Sequence, residues 1–212
     1  MIYSLMAVKA ICEREGKKAT YYIHHNHPRF EKLRTVNTYD ACKELFEAQP
    51  YIAECLPYAS QRVDYDLDTF RKQAGNFKRN PLPNRFFRAV GLEPPKEFKP
   101  WLTIEEIDPN AIGKVFYNHT ATYTNHGINT RTIVPSDALF IGTIKEHLSM
   151  GKNHQYFATR NLYSVAKALR VCEALYCNQS ACLTIAQGLG VPVFLMKDKA
   201  YDSTVLNLEN VL

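Results

Sequence analysis

The stretch that decides the fold is Ala174–Met196, ALYCNQSACLTIAQGLGVPVFLM. Ala174–Tyr176 reads as the end of a buried strand and Cys177–Ser180 as a short polar turn. Ala181–Leu189 has helical spacing and is closed by Gly190, and a second apolar run, Val191–Met196, follows. Strand, turn, helix and strand make one βαβ unit, which predicts a parallel sheet with covered faces. The turn then lies at the carboxyl edge of the sheet. Open α/β sheets bind ligands there, and helix N-termini attract anions. Asn178, Gln179 and Ser180 are therefore candidate contacts for a phosphate-bearing ligand. The plainer alternative is a helix cap supplied by Ser180 or Asn178.

Upstream the same alternation continues. Lys114–Tyr117, Ala138–Ile141 and Gln155–Ala158 read as strands and Leu162–Leu169 as a helix. The polar loop Asn118–Asn129 adds Asn118, His119 and Thr120 as candidate contacts, with the ordinary surface loop as the alternative. Thr143, Glu146 and His147 follow the strand ending at Gly142. Glu146 suits ribose hydroxyls and His147 a phosphate, unless these residues are only the exposed first turn of a helix. In the first half, Ile2–Glu15 reads as a helix closed by Gly16 and Ala19–Ile23 as a strand. A helix from an N-cap at Thr38 and a strand at Ile52–Leu56 come next. Leu67–Gln73 and Asn84–Val90 look helical, with Pro81 and Pro83 breaking between them. Pro94, Pro95 and Pro100 mark a linker, so the chain divides into residues 1–95 and 96–212.

Composition limits the possibilities. The chain has 212 residues, 46% hydrophobic and 22% charged, with a net charge of +5. No apolar run approaches the roughly 20 residues that span a bilayer. Neither a basic leader nor a small-residue cleavage site is seen near Met1, so a cytoplasmic protein is expected. Cys12, Cys42, Cys55, Cys172, Cys177 and Cys182 sit mostly in apolar or helical patterns. The last three are spaced by five, unlike zinc knuckles, so reduced buried thiols and no metal site are expected. Arg71, Lys72, Lys78, Arg79, Arg85 and Arg88 fall in a stretch without acids, interleaved with Phe70, Phe77, Phe86 and Phe87. Such a pattern suits a nucleic-acid backbone or another polyanion, or a helix pair whose phenylalanines point inward. The run VDYDLDTF, with Asp64, Asp66 and Asp68, lacks the Gly and distal Glu of a calcium loop, and Asp68 is expected to cap a helix starting at Thr69. His24, His25 and His27 crowd the end of the Ala19–Ile23 strand. Strand alternation sends His24 and His25 to opposite faces, which argues against a shared ion.

The runs FIGTIKEH (Phe140–His147), LYSVAKALRVCEALYCNQS (Leu162–Ser180) and IAQGLGVP (Ile185–Pro192) resemble glycosyltransferase-B-type proteins. The likeness is above all to the heptosyltransferase-like group (glycosyltransferase family nine-like) and to small phage or bacterial relatives with a Gly-Asn-Gln-Ser turn. IYSLMAVKAI (Ile2–Ile11) is similar to the first helix of such proteins. The resemblance implies two small Rossmann-like α/β halves with parallel sheets. A nucleotide-sugar donor would be held mainly by the second half, through Asn118, His119, Thr120, Thr143, Glu146, His147, Asn178, Gln179 and Ser180. It implies no metal or other cofactor, because a helix N-terminus and polar side chains stabilise the leaving diphosphate. In the relatives a strand and a Gly-Asp pair precede the first helix. Here Met1 directly precedes Ile2, so a truncated N-terminal half is expected, with His24 or His25 taking the aspartate's place as base. Cys177 stands where the relatives have Gly. The expected function is sugar transfer to an acceptor lying near His24 and His25, an anionic one (nucleic acid or phosphorylated glycan) if the basic stretch lines the cleft. The rivals are a nucleotide-binding module without catalysis and a phage structural or assembly protein, which leaves room for a homo-oligomer.

Overall fold

The structure, a computed structural model, describes residues 1–24, 38–72, 81–198, 204 and 206. In the first half, helix α1 (Ser4–Glu15) leads to strand β1 (Ala19–Ile23), and helix α2 (Thr38–Glu47) to strand β2 (Ile52–Pro57). Gly16 ends α1 with φ +66°, a left-handed cap that glycine adopts without steric cost. A 3-10 turn (Leu67–Lys72) and helix α3 (Leu82–Ala89) follow. Pro83 does not break the chain as the sequence suggests. It sits in the first turn of α3, where its missing N–H has no intrahelical partner to lose. The interleaved aromatics of this region turn inward: Phe86 and Phe87 are buried, and Arg85 is buried with them. Phe77, Lys78 and Arg79 lie outside the described residues.

The second half carries β3 (Val115–Asn118), α4 (Thr130–Ile133), β4 (Leu139–Ile141), α5 (Ile144–Glu146) and β5 (Tyr156–Phe157). It ends in α6 (Leu162–Leu169), β6 (Ala174–Cys177), α7 (Ala181–Leu189) and β7 (Val193–Leu195). The described strands form two sheets. β1 and β2 pair in parallel, and the second half is a five-stranded sheet in the order β5-β4-β3-β6-β7, parallel at every pairing. Two parallel-sheet α/β halves are what the alternating pattern predicts. Cys177 is the last residue of β6 rather than the first of the turn, paired with Asn118 of β3.

One apolar core runs through both halves. Leu5, Leu45, Phe46 and Cys55 of the first share it with Leu169, Leu183 and Ile185 of the second. The connector joins them: Trp101 and Leu102 donate their backbone N–H groups to the Gly188 carbonyl, each at 2.8 Å. Gly188 makes that approach feasible, because a Cβ there would lie 2.6 Å from Leu102 Cγ. Polar contacts cross the same junction. Tyr3 Oη donates to Gln187 Oε1 at 2.6 Å, and Arg160 Nη2 donates to both carboxylate oxygens of Glu44, at 2.7 and 2.8 Å. On the opposite face of the large sheet, Tyr117, Val134, Ala138, Phe140 and Met196 form a smaller cluster. Among the described residues no helix is long and apolar enough to cross a membrane.

Candidate functional site

The strand order of the large sheet reverses direction between β3 and β6. From β3 the chain steps outward through β4 to β5, then returns to the other side of β3 as β6 and β7. The two loops leaving β3 and β6 therefore diverge at their carboxyl ends, and the gap between them is where open α/β sheets take ligands. Asn118, His119 and Thr120 leave β3 on one side. Asn178, Gln179 and Ser180 leave β6 on the other. Sequence reasoning named both groups, and the pairing of Asn118 with Cys177 sets them side by side.

Most of these polar side chains serve the backbone first. The fully buried Asn178 accepts from Thr120 N at 3.0 Å and donates to Thr120 O at 2.7 Å and Tyr123 O at 3.0 Å. It therefore straps the β3 loop to the β6 loop. Gln179 Oε1 accepts from Asp198 N at 2.9 Å, tying the β6 loop to the segment after β7. Asn118 Nδ2 donates to Ile141 O at 2.7 Å and joins β3 to β4. Two partners missing from the sequence reading complete the seam: Asn125 Nδ2 donates to Lys197 O at 2.9 Å, and Tyr156 Oη donates to Gly142 O at 3.0 Å. A buried amide without a partner is costly, so polar residues at strand ends collect the loop carbonyls and N–H groups that the ladder leaves over.

Among the described residues, two buried polar atoms at this edge have no hydrogen-bond partner. They are Asn118 Oδ1 and His119 Nδ1, on residues 1% and 3% exposed. Burial, helped by the neighbouring His126, lowers the pKa of His119, so a neutral imidazole stands at the site. Opposite it, Ser180 caps α7 by accepting from Leu183 N at 3.4 Å, and α7 brings its N-terminal N–H groups and positive dipole end to the gap. Gly142 (φ +154°) completes the wall at the end of β4, and a Cβ on it would come within 2.7 Å of Asn118 Nδ2. No L side chain fits there in either conformation or space.

Thr143, Glu146 and His147 occupy more local roles. Thr143 and Glu146 form a capping box, with the Glu146 carboxylate accepting from Thr143 N at 2.9 Å. The spacing T-x-x-E signals that box, and it commits one carboxylate oxygen to the turn. His147 Nε2 is 2.9 Å from the His154 carbonyl, beside the rings of Phe140 and Tyr156. Glu146 still borders the gap: a Cβ on Gly142 would lie 3.0 Å from Glu146 Oε2 as well as close to Asn118 Nδ2, and the Glu146 charge helps raise the Cys182 thiol at the start of α7.

The cysteines are free thiols, five of them buried. Burial pushes the Cys182 thiol up to about 12 and raises Cys177 well above the usual thiol range, which makes both small apolar fillers rather than nucleophiles. Among the described residues no group of three or more His, Cys, Asp or Glu side chains is placed to hold a metal ion.

At the carboxyl edge of the small sheet, His24 follows β1 and stands edge-on to the ring of Tyr58, with centroids 4.5 Å apart. Its Nε2 lies 3.9 Å from Asp68 Oδ2. His25 and His27 lie outside the described residues. The 3-10 turn is capped by Asp66, whose Oδ1 accepts from Asp68 N at 2.9 Å, and not by Asp68 as the sequence suggests. The cap falls two residues earlier because the turn begins at Leu67 rather than Thr69.

No protein-family model matches the chain, and no curated protein does. Among solved structures the chain is similar to E. coli heptosyltransferase WaaC with ADP-2-deoxy-2-fluoro heptose. The two are 9% identical, with a TM-score of 0.56, over 100% of this chain and 88% of that one. The fold is glycosyltransferase-B-like. At that identity the likeness speaks for the architecture alone: two parallel-sheet halves, the second wound in the dinucleotide-binding order.

Proposed function

We propose that the protein binds a nucleotide-sugar at the β3–β6 edge and transfers its sugar to an acceptor carried by the first half. The observation that carries this reading is the pair of buried atoms, Asn118 Oδ1 and His119 Nδ1, which have no partner among the described residues and stand at the strand-order reversal, where α7 also begins. A folded protein rarely leaves such atoms without a partner, and a ligand rich in hydroxyls and phosphate oxygens supplies both donors and acceptors. The α7 N-terminus would hold the diphosphate and stabilise the charge that develops as it leaves. Ser180 and Thr120 would contact the phosphates, while Asn178, Gln179 and Asn118 Nδ2 position the loops. The glycosyltransferase-B-like fold supports the choice of donor class.

Thermal shift and calorimetry with a panel of nucleotides and nucleotide-sugars test the reading, since a ligand bound to the native state raises its stability. Ser180→Ala is expected to weaken donor binding about tenfold, or ~1.4 kcal/mol, and to lower stability by only about 1 kcal/mol through the lost α7 cap. Equal affinity in that variant would remove the donor from this edge. A donor bound but never turned over would favour the binding-module rival over the enzyme.

A further inference from the structure

We propose that the cleft between the starts of α2 and α6 binds an uncharged sugar unit through its hydroxyls. α2 packs on α6 across the junction of the two halves, and the cavity between their first turns measures about 320 Å³. It is lined by Asp40, Ala41 and Glu44 of α2 together with Arg160 and Asn161 at the start of α6. Asp40 and Glu44 stand four residues apart, so they share one face of α2 and both carboxylates line the same cavity. A volume of this size lies at the lower end for small-molecule sites and suits a single sugar ring.

The polar groups of the cleft divide into those already engaged and those left over. Arg160 Nη2 donates to both Glu44 oxygens, which orients the plane of the guanidinium. The Asn161 amide and that guanidinium hold the Glu44 carboxyl below its usual range, so the pair is ionised. The end of α6 is closed by its own cap. Ser164 Oγ accepts from Arg160 N at 2.8 Å and from Asn161 N at 2.9 Å, and Asn161 Oδ1 accepts from Ser164 N at 2.9 Å. Among the described residues, Arg160 Nη1 and Nε and the Asp40 carboxylate form no hydrogen bond or ion pair. The cleft therefore offers spare donors and a spare acceptor at once.

That combination selects a class of ligand. A phosphate or carboxylate only accepts; it meets two carboxylates against one guanidinium and finds the N–H groups of α6 taken by the cap. An ammonium only donates and faces the Arg160 cation. A hydroxyl donates to Asp40 and accepts from Arg160, and neighbouring sugar hydroxyls match the planar fork of a guanidinium. Arg160 comes three residues after Phe157, the last of β5, on the carboxyl side of the large sheet. The ends of β5 and β3 are two strand positions apart in that sheet, roughly 10 Å. The cleft thus lies on the sheet edge that carries the donor reading, with α2 supplying the first half's share. Its role as the acceptor's place rests on that reading, whereas sugar binding does not. A neutral sugar then replaces the anionic acceptor that the basic stretch suggested.

The test titrates the full chain with methyl α-glucoside, methyl α-mannoside and methyl β-galactoside, and in parallel with glucosamine, glucuronate and inorganic phosphate, following backbone amide signals by NMR. At least one glycoside is expected to shift the amides of residues 40–44 and 160–161, and the charged probes to bind at least about tenfold more weakly. Asp40→Ala and Arg160→Ala should each weaken that glycoside about tenfold. Their melting temperatures should stay close to wild type, since an exposed ion pair contributes little. Glycosides that shift nothing, shifts confined to other residues, or unchanged affinity in both variants overturn the proposal and leave the donor reading intact. So does a tighter hold on phosphate, glucuronate or glucosamine than on every glycoside. A protein that binds a glycoside in the cleft but no nucleotide-sugar upholds the sugar site and overturns its acceptor role together with the donor reading.

Discussion

At the residue scale, Asn178 shows how a candidate ligand contact can be a structural strap. Its amide makes three bonds to the backbone of the 120–123 loop inside the protein. Asn178→Ala leaves Thr120 N and two carbonyls to find new partners, so it should cost about 3 kcal/mol. Denaturant unfolding measures that loss, and a cost under about 0.5 kcal/mol would show the strap to be ornamental. The substitution consequently tests stability, and Ser180→Ala is the cleaner probe of binding. His119 carries the other residue-scale prediction. Its native pKa is depressed below the ordinary 6.5, so the folded state holds it neutral. Below pH 6.5 the unfolded chain takes up a proton that the native state refuses, and stability falls toward the native pKa by up to about 1.4 kcal/mol per pH unit. A His119→Gln variant should lose less stability than wild type between pH 7 and 5 in thermal melts. Parallel curves for the two would place the acid sensitivity elsewhere.

At the element scale, the important joint is α7 against the connector. The Gly188 carbonyl receives Trp101 N and Leu102 N, and the indole and leucine side chains cover the helix where a methyl group would otherwise stand. Gly188→Ala ordinarily gains helix propensity. Here the added Cβ would sit 2.6 Å from Leu102 Cγ and 3.1 Å from Trp101 Cε2. Displacing those packed side chains outweighs the propensity gain, and a net loss of about 1–3 kcal/mol is expected. A variant as stable as wild type in denaturant would mean that the connector moves aside freely. The capping residues are the part of this scale that local pattern reveals. Gly190 ends α7, Asn161 opens α6 and Thr143 pairs with Glu146, each by a short-range rule. Asp68 escaped that logic because a turn starting two residues earlier hands the cap to Asp66.

At the scale of the whole molecule, the two halves are joined by apolar packing more than by charge. The Glu44–Arg160 pair is exposed, with the Arg160 side chain 77% accessible, and such pairs contribute little. The shared core passes from α1 and α2 through Trp101 to α6 and α7. A core without an internal boundary predicts one cooperative unfolding transition. Fluorescence of Trp101, the chain's single tryptophan, and far-ultraviolet circular dichroism should then give coincident curves. Separate midpoints would show that the halves unfold independently.

By itself the sequence determined the elements whose causes are local. Leu162–Leu169 and Ala181–Leu189 follow from apolar spacing and caps, and the βαβ rhythm makes the large sheet parallel. It also placed Asn118–Thr120 and Asn178–Ser180 at strand ends, where ligands bind in this class of sheet. Only the tertiary structure decided which strands are neighbours, and so that β3 and β6 meet at the reversal. It alone distinguished the bonded side of Asn118 from its unpartnered oxygen, turned the Phe86–Phe87 pair into the core, and put His24 beside Asp68, 44 positions along the chain. The physical reason is range. Caps, turns and periodicity act over a few residues, whereas burial and hydrogen-bond satisfaction are settled by groups brought together from distant parts of the chain.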